Sequence, residues 1–194
     1  MSKLLFFMVI LSLVITGQIV YASATMTKDE IINVNRVDVV NEKERQQLSI
    51  TAGLLANYEI VAKKLVANLE NDVIELNQIN RQASELLAIS ENIFDTARFR
   101  LPQCDEYLAK TLELKTKLHD MSHEKLEKDY HLDGALPKAP GECYHTKDLF
   151  VHPATVLILT RDDPTLSDTT MTSIGAEITE VLAHTEYVRQ LVIY

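Results

Sequence analysis

Between Leu48 and Ala97 apolar or small residues return every seven positions, with no Pro and no Gly after Gly53 to interrupt them. One track holds Leu48, Leu55, Ala62, Leu69, Leu76, Ala83 and Ala97. Three residues further on, a second holds Tyr58, Leu65, Ile79, Leu86 and Ile93. This spacing puts both tracks on one face of a helix, and a helix with such a face must bury it against other helices. The expected fold class is all-α: an elongated or compact bundle of three or four helices.

Helix is expected from about Glu44 to Arg100. Unbroken, it would extend about 80 Å at 1.5 Å per residue, which is long for one domain. Two places could break it: Asn68 to Asp72, where Asp72 falls on a track position, and the polar run Asn77 to Gln82. A reversal near Asn71 gives a conventional bundle and a continuous rod gives an elongated hairpin; periodicity does not separate them. Leu101-Pro102 ends the segment, because proline and the residue before it disfavour continuation.

Asp105 then caps a new helix expected to run to about His131, burying Tyr107, Leu108, Leu114, Leu118 and Met121 and stopping near Gly134. Pro137, Pro140, Gly141 and Pro153 mark residues 134–153 as an irregular loop. The apolar run Thr155 to Leu159 reads as a short helix with Pro153 at its start, or as a strand pairing with Ile32 to Val40. Asp163-Pro164 and Ser167-Asp168 signal the last helix, which should bury Ile174, Ile178, Val181, Val188, Leu191 and Val192.

The amino terminus has the pattern of a secretory signal peptide at residues 1–24. Lys3 precedes the apolar run from Leu4 to Ile15, and Ala22-Ser23-Ala24 offers small residues for cleavage before Thr25. Gly17 and Gln18 interrupt the run where an uncleaved anchor would need it to continue. Residues 25–194 are enough for a single domain with its own core. They should be periplasmic or secreted, without stable membrane insertion after cleavage. The two cysteines, Cys104 and Cys143, form no CxxC pattern, and in an oxidising compartment they are expected to pair and pin the loop. Closing about 40 residues in this way stabilises by about 4 kcal/mol in the chain-entropy picture.

With 19 basic against 28 acidic side chains the net charge is −9, and losing Lys3 makes the mature chain more acidic still. This argues against nucleic acid and anionic lipid as partners. His119, His123, Glu127 and His131 follow one another at four-residue steps, so on a helix they form one ridge. Imidazoles one turn apart can share a metal ion, and His145 and His152 could complete the set if the loop folds back; Zn(II) or Cu(II) is the implied cofactor. The plainer account is exposed histidines near Lys125 and Lys128. No HExxH motif is present.

His184 reads as a satisfied core histidine, and Glu177 and Glu180 as a solvated face. Neither a paired ExxH pattern nor a Gly-x-Ser-x-Gly elbow occurs, and Gly134 and Gly141 make no phosphate cradle, so no enzymatic role is expected. The expected function is a non-enzymatic, exported binding or interaction module, sensing a small molecule or docking a protein. The alternative is a metal-binding protein using the histidine ridge. A seam of this length could also pair two copies of the chain.

Overall fold

In the computed structural model, the structure describes residues 41–71 and 73–194. The leader, the Ile32 to Val40 segment and Asp72 lie outside the described residues. Within them the chain is helical and contains no strand. None of the described helices is long and apolar enough to cross a membrane.

Helix α1 spans Glu42–Leu69 and α2 spans Leu76–Arg100. The periodic segment is therefore two helices, reversed between Leu69 and Leu76. Asn41 caps α1 by accepting the Glu44 N–H at 3.1 Å. Across the reversal Asn68 donates to Gln82 at 2.9 Å, tying the two helix ends together. Both tracks turn inward: Leu55, Tyr58, Ala62 and Leu65 of α1, and Ile79, Ala83, Leu86, Ile93 and Ala97 of α2, are fully buried.

The second pair is α6, Glu142–Asp162, and α7, Asp168–Val188. α1 packs on α2, α2 on α6, α6 on α7 and α7 back on α1, so the four long helices close into a bundle. Phe94 and Phe150 meet in the core with ring centroids 5.9 Å apart.

The expected loop at 134–153 is corrected by α6. Irregular chain runs only from Leu132 to Gly141, and Pro153 lies in the middle of a helix that begins about three turns earlier. Every residue from Thr146 to Val156 is buried. A helix buried all round has no polar face and hence no amphipathic period to read. Proline costs α6 the bond that its N–H would have made to the Leu149 carbonyl. Tyr58 of α1 donates its hydroxyl to that carbonyl at 2.8 Å, so the buried acceptor is satisfied from a neighbouring helix.

The expected single helix from Asp105 to His131 is also corrected. After a 3₁₀ turn at Pro102–Cys104 it is divided into α3, Asp105–Leu112; α4, Leu114–Lys117; and α5, His123–Leu126, which continues as a π turn over Glu127–His131. The break between α4 and α5 is held from outside. Arg161 of α6 donates to the carbonyls of Leu118, His119 and Met121 at 2.8, 2.9 and 2.8 Å. Ser122 then caps α5, accepting the Lys125 N–H at 3.2 Å. Tyr107, Leu108, Leu114 and Met121 are buried as expected, while Leu118 is only partly covered.

The Cys104–Cys143 disulfide is present, with Cα atoms 5.4 Å apart. It fastens the turn before α3 to the first turn of α6, one helical turn ahead of Lys147.

Candidate metal centre

α6 carries Tyr144, His145, Lys147, Asp148 and His152 through a stretch that is otherwise core. Asp148 and His152 are one helical turn apart, so they share a face. Lys147, Asp148 and His152 are each fully buried. Buried charge must be paired, and the partners come from the π turn, the irregular chain after it, and α7.

His152 hydrogen-bonds through Nδ1 to Glu177 Oε2 of α7 at 2.7 Å. A carboxylate only accepts, so Nδ1 donates and Nε2 is free to bind something else. That nitrogen is buried without a hydrogen-bond partner. His131, delivered by the π turn, is held in the same way: its Nδ1 bonds to Glu127 Oε2 at 2.8 Å, and its ring lies edge-on to His152 with centroids 5.0 Å apart. Carboxylates behind both imidazoles are the arrangement that orients metal-binding histidines.

Asp148 completes the group. Lys147 Nζ lies 3.2 Å from its Oδ1 and His184 Nδ1 3.3 Å from its Oδ2, yet neither contact is aligned as a hydrogen bond. The lysine ammonium is instead donated to the His131 carbonyl at 2.8 Å and to Asp133 at 3.0 Å, and it sits 4.0 Å from the centre of the Tyr144 ring. One ligand atom from each of His131, Asp148 and His152 can be chosen so that all three lie within 4.8 Å of one another. Donors bonded at ~2.0 Å to a tetrahedral ion are about 3.3 Å apart, so small side-chain rotations would close the set.

Burial and neighbouring charge shift several of these groups. Burial lifts the Asp148 carboxyl above its ordinary range, against the pull of Lys147 and His152. Burial acts against a charged His152, but the bond to Glu177 and the negative charge of Asp148 and Glu180 outweigh it and hold the imidazole above its usual value. His184 goes the other way: burial, with His152, His145 and Lys147 nearby, pushes it down to about 4. Tyr58 and Tyr144 are both raised, first by burial and then by Asp148.

Two further groups adjoin this one. His152, Glu180 and His184 lie within the same separation, as do His123, Glu127 and Glu177. Of the residues expected to form a site, His123, Glu127, His131 and His152 are brought together. His119 is not: the break before α5 turns it into solvent, where its side chain is 94% exposed beside Asp120. His145 faces His184 at 3.1 Å and stacks on Tyr187, beside the cluster rather than within a ligand group.

Asp148, Glu177, Glu180 and His184 are additions that the one-helix ridge does not contain. Their spacings were visible, with Asp148 and His152 four apart and Glu177, Glu180 and His184 at steps of three and four. What was missing was the knowledge that α6 is helical and faces α7. Compared with protein-family models, curated proteins and solved structures, the chain matched nothing.

Proposed function

We propose that this chain is an exported, non-enzymatic metal-binding bundle that holds one divalent transition-metal ion, Zn(II) or Cu(II), between His131, Asp148 and His152. One observation carries the reading. His152 is buried with Nδ1 committed to Glu177, and its Nε2 and both Asp148 oxygens are buried without hydrogen-bond partners. Leaving the His152 nitrogen unpaired costs about 1–3 kcal/mol, and ligation of an ion would remove that cost; the Asp148 oxygens have ion-pair neighbours, Lys147 and His184, but no aligned hydrogen bond. Two imidazoles and a carboxylate suit first-row ions of borderline softness.

Binding rather than turnover is supported by the full burial of Lys147, Asp148 and His152, which holds these donors fixed in the core. Export is supported by the leader-like amino terminus together with the Cys104–Cys143 bridge.

The test is metal content after equilibration with Zn(II) and exhaustive dialysis. Wild type should retain one tightly held ion per chain. Its unfolding free energy should rise by about 2.7 kcal/mol at a free ion concentration a hundred times the Kd. His152→Ala should abolish retention while its circular dichroism stays helical, and His119→Ala should retain the ion. Equal retention by wild type and His152→Ala would overturn the assignment.

A further inference from the structure

Beside the buried set lies a second group of donors, and we propose that His123, Glu127 and Glu177 form a second, weaker divalent-cation site on its solvent side. This rests on the reading of His131, Asp148 and His152 as the inner site and extends it to a two-ion centre.

The geometry is specific. His123 opens α5, where the Ser122 cap fixes the helix, Glu127 follows one turn later at the start of the π turn, and Glu177 reaches them from α7. Their ligand atoms lie within 4.8 Å of one another. His123 Nε2 and Glu127 Oε1 face each other at 3.6 Å, too far for a hydrogen bond, and both atoms are shielded from water without partners. One imidazole and two carboxylates carry negative charge toward a common point, a donor set that suits Zn(II).

The carboxylates connect the two sets. Glu127 Oε2 accepts from His131 and Glu177 Oε2 accepts from His152. Each glutamate therefore stands behind an inner imidazole and also belongs to the outer group. An outer ion would draw charge from the same carboxylates that make the inner imidazoles better ligands. That coupling is reciprocal, so each ion weakens the other by the same factor, and the outer one, held by the more exposed donors, should be the weaker. Exposure orders the two sets: the outer side chains of His123, Glu127 and Glu177 are 42, 32 and 18% exposed, and the inner ones of His131, Asp148 and His152 are 17, 0 and 0%. An ion arriving from solvent on this side meets the outer set first.

Isothermal titration of metal-free full-length protein with Zn(II) tests this, backed by anomalous scattering at the zinc edge from crystals soaked in the same ion. Wild type should bind two ions, one tight and one at least tenfold weaker. His123→Ala should bind one, with the tight affinity retained, and crystals of the wild type should show two zinc peaks, the second between His123 and Glu177. One ion in wild type with an identical isotherm in His123→Ala would sink the second site and leave the inner one standing. No ion at all would remove both. Because the His123 side chain is 42% exposed, its loss should leave thermal unfolding of the metal-free protein unchanged, so a missing ion cannot be mistaken for a misfolded chain.

Discussion

The hydroxyl of Tyr58 donates to the carbonyl of Leu149 at 2.8 Å, joining α1 to α6 at the point where Pro153 removes the helix's own donor. Both groups are buried. Tyr58→Phe should therefore leave an unsatisfied carbonyl and destabilise by about 1–3 kcal/mol. Pro153→Ala supplies an N–H in place of the ring, so in that background the cost of Tyr58→Phe should shrink to below about 1 kcal/mol. Urea unfolding of the two single variants and the double variant measures the coupling, and additive effects would dissociate the tyrosine from the proline.

Lys147 and Asp148 form an ion pair with both side chains at zero exposure. Removing one partner strands the other charge. Lys147→Met should cost the metal-free protein about 3–5 kcal/mol, and Lys147→Met combined with Asp148→Leu should recover most of that loss. Chemical denaturation of all three proteins provides the comparison. A double variant as unstable as Lys147→Met alone would mean that the lysine acts through its bonds to the His131 carbonyl and Asp133.

The break before α5 depends on three carbonyls gathered by Arg161. Arg161→Ala should cost about 1–3 kcal/mol. Its signature should be local, with hydrogen exchange rising over residues 114–126 while α1 and α2 stay protected. Uniform acceleration across the bundle would show that the arginine's role is global.

Asp163, at the α6–α7 corner, accepts from the Ser167 and Thr165 N–H groups and from the Thr165 and Thr170 hydroxyls. The bonds from Ser167, Thr165 and Thr170 hold its carboxyl far below the usual range. The folded protein therefore binds this proton less readily than the unfolded chain. The stabilisation is complete above the unfolded value near pH 3.9 and disappears as pH falls from there through the depressed folded value. Asp163→Asn should accordingly lower Tm at pH 7, and the gap to wild type should narrow as pH drops below about 4. A gap that stays constant down to pH 2.5 would assign the loss to geometry alone.

Much of the bundle was legible before any coordinates. The paired tracks of α1 and α2, the face of α7 carrying Ile174, Ile178 and Val181, and the partnership of Cys104 with Cys143 follow from period and composition, because each of these helices has one wet side. α6 has none. Its residues from Thr146 to Val156 are covered on every side, so the signal that marks a helix vanishes, and Pro153 looks like a boundary until Tyr58 is seen to replace its missing donor.

The same physics divides the centre. Four-residue spacing brought His123, Glu127 and His131 together on paper, and they do share a face. The spacing wrongly carried His119 with them, because a guanidinium from Arg161, more than forty residues later, favours the break that expels it. Local sequence determines which short stretches are amphipathic, since that is a property of neighbours along the chain. Only the packed bundle decides what a buried charge meets: His152 finds Glu177 of α7 and Lys147 finds Asp133 of the irregular chain, where pairing offsets the cost of leaving water.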